Sequence, residues 1–465
     1  MEMNYAGRIS AANELMIADA KSRLGKWQAE MLDGSEATQL GSVKSPVLDF
    51  LALLESQLSD GSAEGPDEKW QRRQDGEDSI EAQNDAYILG DAYRDNIMAF
   101  NNARIFGGGG DDTISAYNNA QIAGGKGNDA ISAYDYARVL GGDGDDRIEA
   151  YNNAQISGGD GDDHIEAYNH ARLIGGNGND ILNAYDNAHI DGGNGDDYIS
   201  GYSNINATGG YGDDHIRAYD NAVISGGKGN DLITAYDNAR ISAGEGNDRV
   251  ETYDNGTVDA GSGDDVVTAY SNATITMGDG NDHAFARGIN NRIDAGSGDD
   301  KILSGENNQL FGGSGNDWLS TGKNSMVDGG SGNDIIHIGK YSQVSGGTGD
   351  DFVHAGGGTT ILFNKGDGKD ILTGIGTYGG QADLDKSKVV FGSDITAEDI
   401  SVTFEGNNMV IAIKGSDDQI TIPDVKGGDD QDPWTHKQTV PNLEFSDGTA
   451  WTSADVMAIA EAQEG

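Results

Sequence analysis

Short apolar runs recur along the middle of the chain, separated by runs of glycine and polar residues. An aliphatic residue, such as Ile114 or Ile131, is followed eight positions later by a second one, Ile122 or Val139. Apolar and polar residues alternate within each run, which is the period of a strand rather than of a helix. Each unit of 17 residues therefore predicts two short strands and two turns, so that the chain winds as a flattened coil.

The glycine-rich run has the form G-G-x-G-(D/N)-D and occurs fifteen times, from residues 107–112 to residues 346–351. One extra residue interrupts the 17-residue period between the copies at 277–282 and 295–300. The second and fourth glycines and the final Asp hold in every copy, whereas the first glycine is replaced four times, by Ala243, Ala260, Met277 and Ala295. Residues 73–88 and 90–105 align at the same period without the glycines, and we interpret them as end rungs that cap the array.

These patterns predict an all-β fold, a right-handed parallel β-roll or β-solenoid with a 17-residue rung over residues 73–358. Stacked rungs would lie about 4.8 Å apart, so that equivalent residues superpose and their aliphatic side chains form a thin core. Residues 1–72 predict a helical N-terminal segment, with helices at 11–33 and 46–59, followed by a polar linker over 61–73. Residues 359–452 predict a C-terminal domain of antiparallel strands, and residues 453–465 a short helical tail.

Composition changes this picture through charge. The chain has a formal net charge of −48 and a pI near 4.1, so it repels nucleic acid and anionic membrane surfaces. It also repels itself, which leaves disorder or cation binding as outcomes, and the in-register repeat favours cation binding. With 72 Gly and only 5 Pro the chain predicts many tight turns, and the absence of Cys excludes disulfides and thiol chemistry.

The residue types of the glycine run are those that a metal-binding turn requires. Glycine permits the positive φ that aims several carbonyl oxygens inward, and the sixth-position Asp supplies a carboxylate. Ca²⁺ takes six to eight hard oxygen ligands, so a cation held between two stacked turns would give about fourteen sites from fifteen turns. Mg²⁺ prefers strict octahedra, and Zn²⁺ would want Cys or His. The candidate ligands are Asp112, Asp129, Asp146, Asp163, Asp180, Asp197, Asp214, Asp231, Asp248, Asp265, Asp282, Asp300, Asp317, Asp334 and Asp351.

A plainer reading is that Gly and Asp serve only as turn formers. That reading suits a single copy, but it does not explain fifteen copies in register whose sixth-position Asp is never replaced. A column of ionised Asp at rung spacing would repel at every step unless cations lay between the turns.

The motif G-G-x-G-(D/N)-D-x-aliphatic-x resembles the nonapeptide of the RTX (repeats-in-toxin) calcium-binding proteins. The resemblance implies that the sixth-position aspartates bind Ca²⁺ together with backbone carbonyls of the same turns. RTX arrays often place a glycine–aspartate turn at both ends of the coil; here the second turn is Tyr-Asp/Asn-Asn-Ala, so we expect one calcium row rather than two.

The C-terminal part resembles the domain that follows the roll in many haemolysin-type calcium-binding proteins, on the segments FNKGDGKDIL, FGSDITAEDISV, IKGSDDQITI and LEFSDGTAW. That family implies export by a type I ABC secretion system that reads an uncleaved C-terminal signal, to which the tail at 453–465 would contribute. Low cytosolic calcium would keep the chain unfolded in transit, and calcium outside the cell would fold it. The first residues show no apolar core with a basic flank, so a cleaved signal peptide is not expected.

No enzyme signature is found in the sequence. Neither H-E-x-x-H nor G-x-S-x-G occurs, and His164, His215 and His283 share one repeat position that reads as a solvated face. The leading prediction is a non-enzymatic, secreted, extracellular calcium-binding protein with an adhesin-like, matrix or surface structural role. The alternatives are an RTX effector whose activity lies in residues 1–60, and a glycan-binding module.

The glycan alternative rests on the second turn. Tyrosines from Tyr117 to Tyr270 follow Phe100 in one column, and Asn stands two positions later in most rungs. Stacked rings and Asn side chains would stabilise adjacent turns, and an outward aromatic–polar stripe could instead bind a cell-surface glycan or, if it were uniform, ice. The sequence does not decide whether the column faces inward or outward.

Overall fold

The computed structural model describes residues 70–72, 79–375, 387–427 and 438–464. The helices predicted at 11–33 and 46–59 lie outside the described residues. The chain divides into two compact units, residues 1–194 and 195–465, and each is described by itself. Within the described ranges, no helix has the length and apolar character that crossing a membrane would require.

In the first unit, two parallel sheets face each other across a thin core. The first sheet contains Trp70–Arg72, Tyr87–Leu89, Arg104–Gly109, Gln121–Lys126, Arg138–Asp143, Gln155–Asp160, Arg172–Asn177 and His189–Asn194. The second contains Ile80–Ala82, Asn96–Ala99, Thr113–Ala116, Ala130–Ala133, Arg147–Ala150, His164–Ala167 and Ile181–Ala184. Each strand pairs with the strand one rung away at a register of 17 residues, as in Ile148 with Ile165.

The second unit repeats this arrangement. Its first sheet contains Asn206–Tyr211, Val223–Lys228, Arg240–Glu245, Thr257–Ser262, Thr274–Asp279, Arg292–Ser297, Gln309–Ser314, Met326–Ser331, Gln343–Thr348, Thr360–Phe363, Lys388–Phe391, Asn442–Glu444 and Ala450–Trp451. Its second sheet contains Tyr198–Gly201, His215–Ala218, Leu232–Ala235, Arg249–Thr252, Val266–Ala269, His283–Ala286, Lys301–Ser304, Trp318–Thr321, Ile335–Ile338, Phe352–Ala355, Lys369–Thr373, Ile400–Glu405, Asn408–Ile413 and Gln419–Ile422. The prediction of an all-β parallel solenoid with a 17-residue rung is confirmed.

The inward columns consist of the predicted aliphatic residues and a set of small ones. Ile148, Ile165 and Leu173 are fully buried, and Ala150, at the end of its strand, and Ala154, in the second turn, lie in the same core. The outward residues of the same strands are half-buried or exposed, which gives the alternating burial that the sequence predicted. The extra residue of the sequence falls in a second turn, where the register between Thr274 and Arg292 is 18.

At both ends of the roll, the structure extends the parallel stack beyond the predicted bounds. Trp70–Arg72 falls in the stretch predicted as a linker, yet it forms a strand that pairs in parallel with Tyr87–Leu89. Residues after 358, predicted as an antiparallel domain, first continue the parallel stack through Thr360–Phe363, Lys369–Thr373 and Lys388–Phe391. These strands keep inward aliphatic residues, so parallel coiling continues there, although only Thr360–Phe363 keeps the 17-residue register and the other two lose it.

Antiparallel pairing begins only at the hairpin of Ile400–Glu405 and Asn408–Ile413. Asn408–Ile413 then pairs with Gln419–Ile422, which joins the second sheet in parallel beside Lys369–Thr373. A helix, α1, runs from Ser453 to Glu464 and occupies the stretch predicted as a helical tail.

Candidate metal centre

Each glycine turn depends on two backbone positions with positive φ. Gly159 and Gly161, the second and fourth residues of one turn, have φ values of +132° and +130°. A Cβ built on Gly159 would lie 2.1 Å from the carbonyl oxygen of Gly142 in the preceding turn. Any other residue would therefore be both strained and in collision with the neighbouring backbone, which explains why these two glycines never vary in the sequence.

The turn directs its sixth residue inward. All fifteen candidate aspartates are 1–2% exposed, and they form one column in each unit. The backbone N–H of one Asp donates to Oδ1 of the Asp in the next turn, as from Asp146 to Asp163 and from Asp163 to Asp180, both at 2.8 Å. One carboxylate oxygen per turn is thus used to hold the next turn in register.

The second carboxylate oxygen, Oδ2, has no hydrogen-bond donor in most of these aspartates. A Cβ built on Gly158, the first residue of the same turn, would lie 2.0 Å from Asp163 Oδ2 and 2.7 Å from the carbonyl oxygen of Gly175. Two acceptor oxygens from successive turns therefore lie within 2.7 Å of one point. The same orphaned Oδ2 occurs in Asp112, Asp129, Asp146, Asp163, Asp214, Asp231, Asp248, Asp265, Asp282, Asp300, Asp317, Asp334 and Asp351.

A buried acceptor without a donor costs about 1–3 kcal/mol, and more when it is charged. A cation between the turns would remove this cost in each of these rungs, because it bonds carboxylate and carbonyl oxygens together. The side-chain and main-chain oxygens present therefore fit a hard divalent cation.

Burial raises the pKa of these carboxyl groups, and the backbone N–H that each accepts offsets this only in part. The pKa rises from 3.8 to about 8 for Asp112 and Asp163. It rises to about 7 for Asp129, Asp146, Asp214, Asp265 and Asp317, and to about 6 for Asp231, Asp300, Asp334 and Asp351. Neighbouring aspartates add to the rise, so without a cation the column would hold protons near neutral pH.

The atoms that each turn offers to a cation are main-chain oxygens and one carboxylate. In the part of the chain that the structure describes, no three His, Cys, Asp or Glu side chains form a group that could hold a metal. The fifth-position residues are exposed and serve the backbone instead, since Asp145 Oδ1 accepts the N–H of Asp162 at 3.0 Å. His164 and His215 lie on the outer face of the second sheet, where burial lowers their pKa, away from the Asp column.

Two aspartates that the sequence pattern missed extend the column. Asp95 is 1% exposed, and its N–H donates to Asp112 Oδ1 at 2.7 Å. Asp370 is 7% exposed, and its Oδ1 accepts the N–H of Asp351 at 3.1 Å. Asp95 stands 17 residues before Asp112, which spacing alone could have shown, whereas Asp370 follows Asp351 by 19 residues and breaks the period.

The second turn faces outward and is held by ring stacking. In the first unit the rings from Phe100 to Tyr185 stack at centroid distances of 4.8–5.4 Å, and in the second those from Tyr202 to Tyr270 at 4.6–5.2 Å. Tyr117 is 38% exposed. Asn153, two residues after its Tyr, has a φ of +60°, a conformation that Asn tolerates better than most residues.

Comparison with known proteins agrees with the repeat. The RTX calcium-binding nonapeptide repeat family matches residues 151–171, 219–250, 278–308, 304–336 and 343–362. The haemolysin-type calcium binding protein related domain matches residues 408–455. No curated protein matches the chain.

Two solved structures are similar at low identity. One is a hyperactive, Ca²⁺-dependent, β-helical antifreeze protein from an Antarctic bacterium, at 19% identity and a TM-score of 0.32, covering 65% of this chain and 86% of that one. The other is the extracellular lipase LipA from Serratia marcescens, at 20% identity and a TM-score of 0.14, covering 53% of this chain and 39% of that one. Scores this low carry no argument about function.

Proposed function

We propose that this chain, which carries RTX calcium-binding repeats on a parallel β-solenoid, is a secreted, non-enzymatic protein that folds when Ca²⁺ fills the row between its glycine turns. Its role would be structural, as an adhesin-like, matrix or cell-surface protein. About fourteen ions, one between each pair of successive turns, would bind along the sixth-position aspartates.

The orphaned Oδ2 atoms carry the proposal. In a folded chain without cations, buried carboxyl groups at rung spacing either repel one another or hold protons. With calcium they are paired along the whole row, so calcium binding and folding would be one equilibrium. The formal charge of −48 adds to this linkage, because it opposes compaction until cations bind.

The resemblance to haemolysin-type proteins supports an extracellular location reached through a type I ABC secretion system. Low cytosolic calcium would favour the unfolded chain during transit, and calcium outside the cell would favour the roll. The match at residues 408–455, which follows the roll, fits this route.

Two other functions make different predictions. An RTX effector would lose its phenotype when residues 1–60 are deleted, although the roll remained folded. A glycan-binding module would need open ring faces, but each interior Tyr of the stack covers both faces with its neighbours, as Tyr151 does between Tyr134 and Tyr168. Because the ring faces are covered, the edges and hydroxyl groups of these tyrosines are the parts left accessible to a glycan.

Circular dichroism during a Ca²⁺ titration tests the proposal. We expect coil in EGTA, and a cooperative change to β structure in millimolar Ca²⁺ that Mg²⁺ at the same concentration does not produce. A full β spectrum in EGTA at pH 7 would overturn it. Sedimentation at each calcium concentration separates folding from aggregation, since a folded chain becomes compact without gaining mass.

A further inference from the structure

A polar pocket opens on the first unit, beside the second turns and away from the glycine turns. It has a volume of about 360 Å³ and is lined by two alanines and by Asn119, Gln121, Tyr136, Arg138, Asn153 and Gln155. Three successive rungs build it, since Arg138 pairs in register with Gln121 on one side and with Gln155 on the other. The chain has 78 Asp and Glu residues, yet none of them lines this pocket. Its one charged side chain is therefore a cation.

The fold makes no use of the Arg138 guanidinium. Within the described residues it has neither a hydrogen bond nor an ion pair, whereas Arg104, two rungs earlier, donates to the Tyr87 hydroxyl. Asp135, the nearest acid along the chain, accepts the backbone and side-chain N–H groups of Asn152 at 3.2 and 3.0 Å. Charges more than about 8 Å away are screened at physiological salt, so the lining side chains decide what binds despite the net negative charge.

Tyr136 occupies a position that tyrosine tolerates poorly. Its φ is +62°, in the place where Asn119 and Asn153 have φ values of +57° and +60°. A bulky residue is strained in this conformation, whereas Asn is accommodated. Tyr341 stands at the same repeat position elsewhere, but its ring lies against Gly358, where a Cβ would be 2.7 Å from Tyr341 Cδ1.

No such packing explains Tyr136. Its side chain is 60% exposed, and in the part of the chain that the structure describes no other ring stacks on it and no cation lies over it. Unlike the tyrosines of the stacked column, it keeps open ring faces at the edge of a pocket. Strain that is retained without a packing partner points to a function for the residue.

The pocket thus combines three kinds of recognition group. An open aromatic face contacts the C–H groups of a saccharide ring, and the exposed amides of Asn119, Asn153 and Gln155 pair with hydroxyl groups. A guanidinium presents a planar fork of donors that matches a carboxylate. The volume lies near the lower end of the range for small-molecule pockets, which suits a single sugar unit.

We propose that this pocket binds an acidic sugar residue, a saccharide ring that carries a carboxylate, as in a uronic acid. Arg138 would hold the carboxylate, Tyr136 would lie against the ring, and the amides would bind hydroxyls. The site is separate from the stacked tyrosine column and goes beyond the proposed structural role. The first match to the repeat family begins at residue 151, after Tyr136 and Arg138, so it does not assign these two residues.

Saturation-transfer NMR of the full chain in saturating Ca²⁺ tests the site, with methyl β-glucuronide as the probe and methyl β-glucoside as its neutral counterpart. We expect saturable binding of the glucuronide and at least about tenfold weaker binding of the glucoside, because the charge-assisted hydrogen bonds to the carboxylate are lost. Equal affinity for the two sugars, or no binding of either, overturns the proposal.

The repeat supplies a matched variant for the cation. Arg138→Gln introduces the residue found one rung away on either side, so the strand should fold; it should weaken glucuronide binding by about tenfold or more and leave glucoside binding unchanged. Arg240→Gln makes the same change at the same repeat position in the second unit, between Val223 and Thr257, and should bind as the wild type does. Equal losses in both variants would show an effect of overall charge and refute the site. So would full glucuronide binding in Arg138→Gln, as expected if calcium held the carboxylate.

The ring has its own matched variant. Tyr136→Asn restores the residue of the neighbouring rungs and relieves the strained φ, so thermal unfolding in Ca²⁺ should occur at the same temperature or higher. It should weaken the binding of both sugars by roughly two- to tenfold, whereas Tyr136→Phe, which keeps the ring, should bind like the wild type. Unchanged sugar binding in Tyr136→Asn would contradict the role of the ring in this site.

Discussion

Replacing Asp163 by Asn should change stability in opposite directions with and without calcium. The substitution keeps the Oδ1 acceptor for Asp146 N–H and places an amide donor at the position of Oδ2, which lies near the same point beside Gly158 as the carbonyl oxygen of Gly175. Without calcium the pKa of the buried carboxyl is raised from 3.8 to about 8, so at pH 7 its burial costs about three pKa units, or about 4 kcal/mol. Asn removes that cost.

With calcium the sign reverses. Asp163 faces the turns on both sides, so the substitution should weaken one or two ions, and each ion present at a hundredfold its Kd contributes about 3 kcal/mol. Urea unfolding in saturating Ca²⁺ should therefore show a loss of about 3–6 kcal/mol. In EGTA, where an osmolyte such as trimethylamine N-oxide favours compact states, the variant should form β structure at a lower osmolyte concentration than the wild type.

Asp162→Asn is the matched control, because Asp162 is exposed and Asn occupies its position in the next turn as Asn179. It should leave both measurements unchanged. An Asp163→Asn variant that keeps its calcium-bound stability and ion count, or that needs more osmolyte than the wild type to fold in EGTA, would contradict this expectation.

Three further outcomes follow from the structure. In EGTA, β structure should increase as the pH falls from 8 to 4, because the raised pKa values near 6 to 8 destabilise the folded chain only above the unfolded pKa of 3.8; circular dichroism against pH checks this. Gly159→Ala should prevent β formation around its turn at any calcium concentration, because its Cβ would lie 2.1 Å from a backbone oxygen; hydrogen exchange there should show no calcium-dependent protection. Tyr168→Leu should cost about 1–3 kcal/mol by removing its stacking with Tyr151 and Tyr185, yet native mass spectrometry should find the ion count unchanged.

Parallel stacking at a fixed period made much of the fold predictable. Since every rung places the same residue above the same residue, the columns of Ile148 and Asp163 could be read from spacing alone. The invariant second and fourth glycines likewise reflect a local backbone requirement, a positive φ beside a neighbouring carbonyl. Such features need no knowledge of distant contacts.

The ends of the stack were predicted less well because their sequences lose the period before their backbones do. The strand Trp70–Arg72 carries no glycine turn, and Asp370 is displaced by two residues from its expected place. The strands Lys369–Thr373 and Lys388–Phe391 remain parallel to their neighbours although their spacing no longer follows the period.

The sequence by itself determined the rung, the inward carboxylate and the choice of a hard cation, because these follow from residue type at a fixed spacing. The tertiary structure decided which oxygens lack donors, that the tyrosine column faces outward, and that Asp418 accepts the backbone N–H groups of Gly366 and Gly368. The physical reason is range: φ, alternation and charge act between neighbours in the chain, whereas the final acceptors of Gly366 and Gly368 come from a hairpin about fifty residues away, at a spacing that no repeat specifies.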